Sequence, residues 1–104
     1  MKTGKIMATK LLPPVHPGEI LREEFMQPLE LSSNALARAI GVTPARVNDI
    51  ANEKRGITAD SALRLARYFG TTAELWMNLQ KRYELETARH ELHDTLTHIQ
   101  PRAA

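Results

Sequence analysis

Apolar residues recur along this chain at intervals of three and four, in short stripes separated by Gly, Pro, Ser and Thr. That period places them on one face of a helix. Ile20, Leu21, Phe25 and Met26 form the first stripe, opening at Pro17 and closed by Pro28. Glu19 falls in its first turn, where the helix dipole favours an anion. Leu36, Ala37 and Ile40 mark a second helix, roughly Ser33 to Ile40, with Ser32 as its cap. Gly41 follows, the residue type that a tight turn of positive φ needs. Val42 then fills the corner. Thr43 is a good N-cap and Pro44 suits the first helical position, so a third helix runs roughly Pro44 to Asn52 and buries Val47 and Ile50. The loop Glu53-Lys54-Arg55-Gly56 is polar and carries a turn glycine. Thr58 caps a fourth helix with the stripe Ala62, Leu65, Ala66 and Phe69, widened by Leu63 and closed by Gly70. Thr71 and Glu74 have the spacing of a capping box for a fifth helix. Its buried side is Leu75, Trp76, Leu79 and Tyr83. Leu85, Ala88, Leu92, Leu96 and Ile99 continue in a shifted phase, as either a helical extension that packs on a partner or a frayed tail. No segment alternates as a strand would, and no internal repeat occurs.

The stretch Leu31 to Ile50 carries the most information. Two short helices meet over Gly41, and Ala37 is small where a steep crossing needs a small residue. Ala45, Arg46, Asn48, Asp49 and Asn52 point away from the predicted core. Asn and Arg can bond bidentately to purine edges in the major groove. The reading is a helix-turn-helix, whose second helix enters that groove. The chain is therefore expected to be all-α: a five-helix, phage-repressor-like DNA-binding domain with the helix-turn-helix at helices two and three. Its organisation is read as a flexible basic arm over 1–15, the domain over 16–88, and an extension or tail over 89–104.

Composition narrows the picture modestly. With 104 residues the chain holds one domain. It has no cysteine, hence no disulfide, thiol nucleophile or cysteine-based zinc site. That fits a cytoplasmic location. No apolar run approaches the roughly 18 residues of a membrane span, and the lysines of the N-terminus precede no apolar signal core. The net charge of +2 permits nucleic-acid binding without requiring it. Its distribution says more. Thr43 to Arg67 holds Arg46, Lys54, Arg55, Arg64 and Arg67 against Asp49, Glu53 and Asp60. In Pro17 to Glu30 the balance reverses, with Glu19, Glu23, Glu24 and Glu30 against Arg22. One surface suits phosphates and another suits a basic partner.

The DNA-binding candidates are Ser33, Thr43, Pro44, Ala45, Arg46, Asn48, Asp49, Lys54 and Arg55. Thr43, Ala45, Arg46, Asn48 and Asp49 occupy the exposed, N-terminal part of helix three, where base readout takes place. Ala45 is small enough to meet a thymine methyl. Phosphates are left to the N–H groups near Ser33 and Thr43 and to Lys54 and Arg55. Asp49 either accepts from cytosine or holds Arg46 or Arg55 in place. Trp76, Leu79 and Tyr83 are large for so small a domain to bury alone, and are read as core or as a dimer interface. No catalytic constellation is present: Glu23 and Glu24 diverge by about 100° on a helix, and Ser32, Ser33 and Ser61 read as caps. His90, His93 and Asp94, with His98 beyond, have a spacing that a metal could use, but read as solvated groups. His16 caps helix one or packs locally. No enzyme activity, cofactor or metal is expected.

Several motifs together resemble the HigA-type antitoxin family of Xre-like helix-turn-helix regulators, also known as plasmid-maintenance or virulence-associated antidote proteins. They are His16-Pro17-Gly18-Glu19-Ile20-Leu21, Glu23-Glu24-Phe25, Pro28-Leu29 before Leu31-Ser32, and Leu36-Ala37 through Gly41-Val42. Lys54-Arg55-Gly56-Ile57-Thr58, Ala62-Leu63-Arg64-Leu65-Ala66 and Trp76-Met77-Asn78-Leu79-Gln80 complete the set. The resemblance spans about residues 16 to 88. It implies a homodimer that binds a palindromic operator in its own promoter, and that neutralises a RelE-like ribonuclease toxin. An RNA-cleaving toxin must be basic, so the acidic Glu19, Glu23 and Glu24 are its expected contact. A stand-alone regulator of the same fold and a protein-only helical adaptor are the competing functions.

Overall fold

A computed structural model describes residues 13–103. The expected arm over 1–15 therefore lies largely outside the described residues. These contain five α-helices, one π-helical stretch and no strand. The helices are α1 (Pro17–Ile20), α2 (Ser33–Ile40), α3 (Pro44–Ala51), α4 (Ala59–Phe69) and α5 (Ala73–Thr97).

Helix α1 runs without interruption into the π-helical stretch Leu21–Met26. The Gln27 N–H donates to the Arg22 carbonyl at 2.9 Å, a five-residue spacing that defines the wider turn. His16 caps α1: its Nδ1 accepts from the Gly18 N–H at 2.8 Å. Its ring also packs edge-on against Tyr83, with centroids 4.8 Å apart. Both readings of His16 therefore hold.

The core is one cluster drawn from the π-helical stretch, helices α2 to α5 and the loop residue Ile57: Leu21, Met26, Leu36, Ala37, Val47, Ile50, Ala51, Ile57, Ala62, Leu65, Ala66 and Trp76. Caps set the ends of each piece. Ser32, Thr43, Thr58 and Thr72 each turn a side-chain oxygen onto a backbone N–H three residues on. Gly41 and Gly70 close α2 and α4 at φ of 74° and 73°. Burial of this cluster, rather than helix propensity, holds such short helices together.

Three expectations are corrected. Leu63 is 62% exposed and does not widen the buried stripe of α4. Leu75 also faces solvent, one position off the stripe that carries Trp76 and Leu79. The cap of α5 is Thr72 rather than Thr71. Thr71 Oγ1 instead accepts from the Trp76 indole N–H at 2.9 Å, so the hydroxyl satisfies the one polar atom of a buried ring. Helix α5 continues for 25 residues, about 37 Å at about 1.5 Å per residue. The shifted stripe after Tyr83 is therefore helical and leaves the core.

Candidate DNA-binding surface

The turn between α2 and α3 is built from its backbone outward. Gly41 takes the left-handed conformation, and the Val42 N–H reaches back to the Ala37 carbonyl at 3.0 Å. Thr43 Oγ1 then accepts from the Arg46 N–H at 3.2 Å, with Pro44 at the first helical position. Val47, Ile50 and Ala51 are buried, which fixes how α3 is rotated. Thr43, Pro44, Ala45 and Asn48 are left exposed, with Arg46 and Asp49 half-exposed.

Helix α3 is also gripped at its far end. A Cβ on Gly18 would stand 1.8 Å from the Ile50 carbonyl oxygen, so only glycine lets α1 approach this closely. Arg22 Nη1 donates to the Ala51 carbonyl, and the same guanidinium pairs with Glu53 at 3.5 Å and Glu23 at 3.0 Å. Arg64 does the equivalent for α2, donating to the Ile40 carbonyl at 2.8 Å and the Gly41 carbonyl at 3.2 Å.

The candidate DNA-contacting side chains form local pairs. Ser33 Oγ lies 3.2 Å from Asn48 Oδ1, tying the start of α2 to the middle of α3. Arg55 Nη2 donates to Asp49 Oδ2 at 3.3 Å, so of the roles open to Asp49 it takes that of holding Arg55. Arg46 Nη1 instead meets Asp60 Oδ1 at 2.8 Å. Asp60 also receives the Arg64 Nε at 2.7 Å. The hydrogen bonds from Arg46 and Arg64 hold the Asp60 carboxyl below its usual range.

Lys54 and Arg55 are exposed on the loop after α3. The Lys54 N–H donates to the Asp49 carbonyl at 2.7 Å. Glu53, not Gly56, carries the positive φ of this loop, at 64°. Gly56 is needed for room: a Cβ there would stand 2.7 Å from Gln80 Oε1. That buried amide accepts the Ile57 N–H at 2.7 Å and donates to Glu84 at 2.7 Å, so α5 underpins the loop. Sequence reasoning gave no role to Arg22, Asp60, Arg64 or Gln80. Only Asp60 and Arg64 left a signal, the four-residue spacing of a helical ion pair.

The remaining candidates separate. Trp76 is 0% exposed, packed on Phe25 and Phe69 with centroids 5.0 and 6.3 Å away. It has no surface to offer a second copy, which removes it from the dimer-interface candidates: the domain does bury its tryptophan alone. Leu79 and Tyr83 are half-buried. Glu23 and Glu24 are exposed and Glu19 half-exposed, with Glu23 tied to Arg22. Among the described residues no three His, Asp or Glu side chains converge as a metal would require. None of their helices is long and apolar enough to cross a membrane.

This constellation defines a helix-turn-helix protein, and the helix-turn-helix family model matches residues 23–76. Virulence-associated protein I of Dichelobacter nodosus is 55% identical over 80 residues, covering 77% of this chain and 74% of that protein. The Pseudomonas aeruginosa antitoxin HigA, solved with the higBA promoter, is 50% identical with a TM-score of 0.83, over 86% of this chain and 99% of that one. Another Pseudomonas aeruginosa structure, of a protein in complex with its 18 bp operator DNA, is 51% identical with a TM-score of 0.84, over 88% and 99%. The chain belongs to the helix-turn-helix family, in its HigA-type antitoxin branch. Its relatives are DNA-binding regulators and antitoxins rather than enzymes.

Proposed function

We propose that this chain is a cytoplasmic, dimeric antitoxin that binds operator DNA in its own promoter, represses its operon, and neutralises a RelE-like ribonuclease toxin. The observation that carries the DNA reading is the capped, exposed N-terminal half of α3, with Lys54 and Arg55 exposed on the loop after the helix. Arg46 and Asn48 serve as base readers, and Ala45 meets a thymine methyl. Ser33, Thr43 and Pro44 present the helix N-termini to phosphate. Lys54 and Arg55, on the loop after α3, anchor the DNA backbone, with Asp49 orienting Arg55.

Two-fold operators are read by two-fold dimers, with half-sites about 34–36 Å apart. Helix α5 supports the dimer. Beyond Tyr83 it leaves Leu85, Leu92 and Leu96 substantially exposed along its length, with Ile99 exposed just past its end. Leu79 and Tyr83, half-buried on the earlier core-facing stripe, border that surface.

For the toxin, the acidic first helix suits a basic partner. Glu19 and Glu24 are the residues to reverse, because Glu23 is already paired with Arg22. Opposite charges across such a contact mainly speed association and make it salt-dependent.

Binding to operator and to random duplex across a salt series tests the DNA reading. Arg46→Ala is expected to cost about 1–3 kcal/mol at the operator. Lys54→Ala weakens all duplexes alike and lowers the salt slope by about one. Unchanged operator affinity in both variants overturns the assignment. Co-expression with the adjacent open reading frame tests the toxin reading. If no small basic protein co-purifies, the chain is a stand-alone regulator.

A further inference from the structure

Between the end of α3 and the cap of α4 the chain carries its exposed basic pair, Lys54 and Arg55. The near side of this loop is held by α3: the Glu53 and Lys54 N–H groups donate to the Ile50 and Asp49 carbonyls at 3.0 and 2.7 Å. The far side is held differently. Among the described residues, the backbone of Arg55, Gly56 and Ile57 makes one hydrogen bond, from the Ile57 N–H to Gln80 Oε1 at 2.7 Å. Gly56 lies against the same amide, where a Cβ would stand within 2.9 Å of three of its atoms. Gln80 Nε2 is in turn held by Glu84 Oε2 at 2.7 Å, one turn further along α5. With both ends of its amide bonded and only 9% of its surface exposed, Gln80 has nothing to offer a ligand directly.

We propose that Gln80 is a positioning residue for DNA binding: from α5 it fixes the backbone that presents Lys54 and Arg55 to phosphates. Without its bond, the backbone from Arg55 to Ile57 is restrained by the buried Ile57 side chain and the Arg55–Asp49 pair alone. Both charges remain, but the chain beneath them must then be ordered as DNA binds, a cost that preorganisation avoids. Fixing the backbone of one residue is worth about five- to thirty-fold in affinity. Phosphates carry no sequence information, so the loss falls equally on right and wrong sites. Gln80 thus sets how tightly any duplex is held and leaves base choice to α3. This inference rests on the DNA reading above.

The probes are a duplex enriched by the full-length protein from a randomised library, and a scrambled duplex of equal length. Affinities are read by fluorescence anisotropy at one salt concentration. Circular dichroism at the assay temperature selects variants that are fully folded, so lost stability does not enter the affinity. Gln80→Met keeps the length of the side chain and removes both hydrogen-bonding ends; Gln80→Ala supplies the same readout should the methionine variant not fold. The expected result is a fall of about five- to thirty-fold on both duplexes, with their ratio unchanged. In a Lys54→Ala, Arg55→Ala background the same change at Gln80 has no further effect, because the loop then has nothing to position. Wild-type affinity in the folded Gln80 variants overturns the proposal. An equal fall without Lys54 and Arg55 also overturns it, since Gln80 would then act elsewhere. So does a fall confined to the enriched duplex, which would place its effect on α3. A wild-type chain that binds neither duplex removes the DNA reading and this inference with it. One that binds, and weakens through Lys54 and Arg55 but not through Gln80, removes the inference alone.

Discussion

Substituting Gly56 and Gln80 singly and together probes how α5 supports the basic loop. The Ile57 N–H sits in a residue only 4% exposed, and its acceptor is Gln80 Oε1 at 2.7 Å. Gln80→Ala leaves that donor unpaired, a cost of about 1–3 kcal/mol. For a domain of this size each kcal/mol lowers Tm by roughly 4–8 °C. Gly56→Ala reaches the same end by another route. The φ of Gly56 is not positive, so an alanine backbone fits, but its Cβ would stand 2.7 Å from Gln80 Oε1 and 2.8 Å from Nε2. The amide is held by Ile57 and Glu84 and can yield only by giving up those bonds. Both single variants thus lose one and the same interaction. The double variant loses it once, and the alanine methyl occupies the space the amide vacated. Thermal and urea unfolding should therefore place the double variant near the worse single one, with a coupling of about 1 kcal/mol or more, within the range seen for touching residues. Additive losses, or a Gln80→Ala protein melting with the wild type, would refute the reasoning.

Gly18→Ala drives a methyl into the Ile50 carbonyl oxygen, which is backbone and cannot swing away, so a loss of at least about 1–3 kcal/mol is expected by calorimetry. Burial holds the His16 pKa below its ordinary 6.5, with Glu53 opposing weakly. The folded state thus favours neutral His16, whose Nδ1 must stay unprotonated to cap α1. Its stabilising contribution is complete above pH 6.5. It is lost as pH falls from there through the folded-state value. Urea midpoints between pH 7.5 and 5 should decline in the wild type and decline less in His16→Ala; parallel curves would count against the cap. Paired Leu92→Glu and Leu96→Glu changes should convert dimer to monomer in sedimentation and abolish the concentration dependence of Tm, while circular dichroism shows the monomer still helical, since neither side chain belongs to the core cluster. A dimer of wild-type strength would move the interface elsewhere.

The helices were legible because each rests on local chemistry: Ser32, Thr43 and Thr58 cap where a hydroxyl can reach three residues on, and Gly41 and Gly70 close where φ must be positive. The exposed face of α3 followed from Val47 and Ile50 alone. What escaped depends on contacts between distant segments. Gln80 is the eighth residue of α5, a whole helix away in sequence from the loop it serves, and reads as an unremarkable polar position. Arg22 and Arg64 looked like surface charge because nothing local says that a helix end lies above them. Thr71 and Thr72 are adjacent and equally able to cap, and only the indole of Trp76 decides between them. Leu63 and Leu75 failed for the reason periodicity often fails: a stripe one residue too wide puts a leucine in water.

Arg64 on the last carbonyls of α2 and Arg22 on the last carbonyl of α3 have an electrical consequence. A helix behaves as a rod with about half a positive charge at its start and half a negative charge at its end. In both rods the negative pole is covered by a guanidinium, while the positive poles at Ser33 and Thr43 stay open to the outside. Helices α2 and α3 thus each turn only their positive pole outward. That field is made of peptide groups, and no change in lysine count or in the protonation of any side chain at the DNA surface can switch it off. A chain with a net charge of only +2 in this way turns about half a positive charge from each of the two helices toward a polyanion.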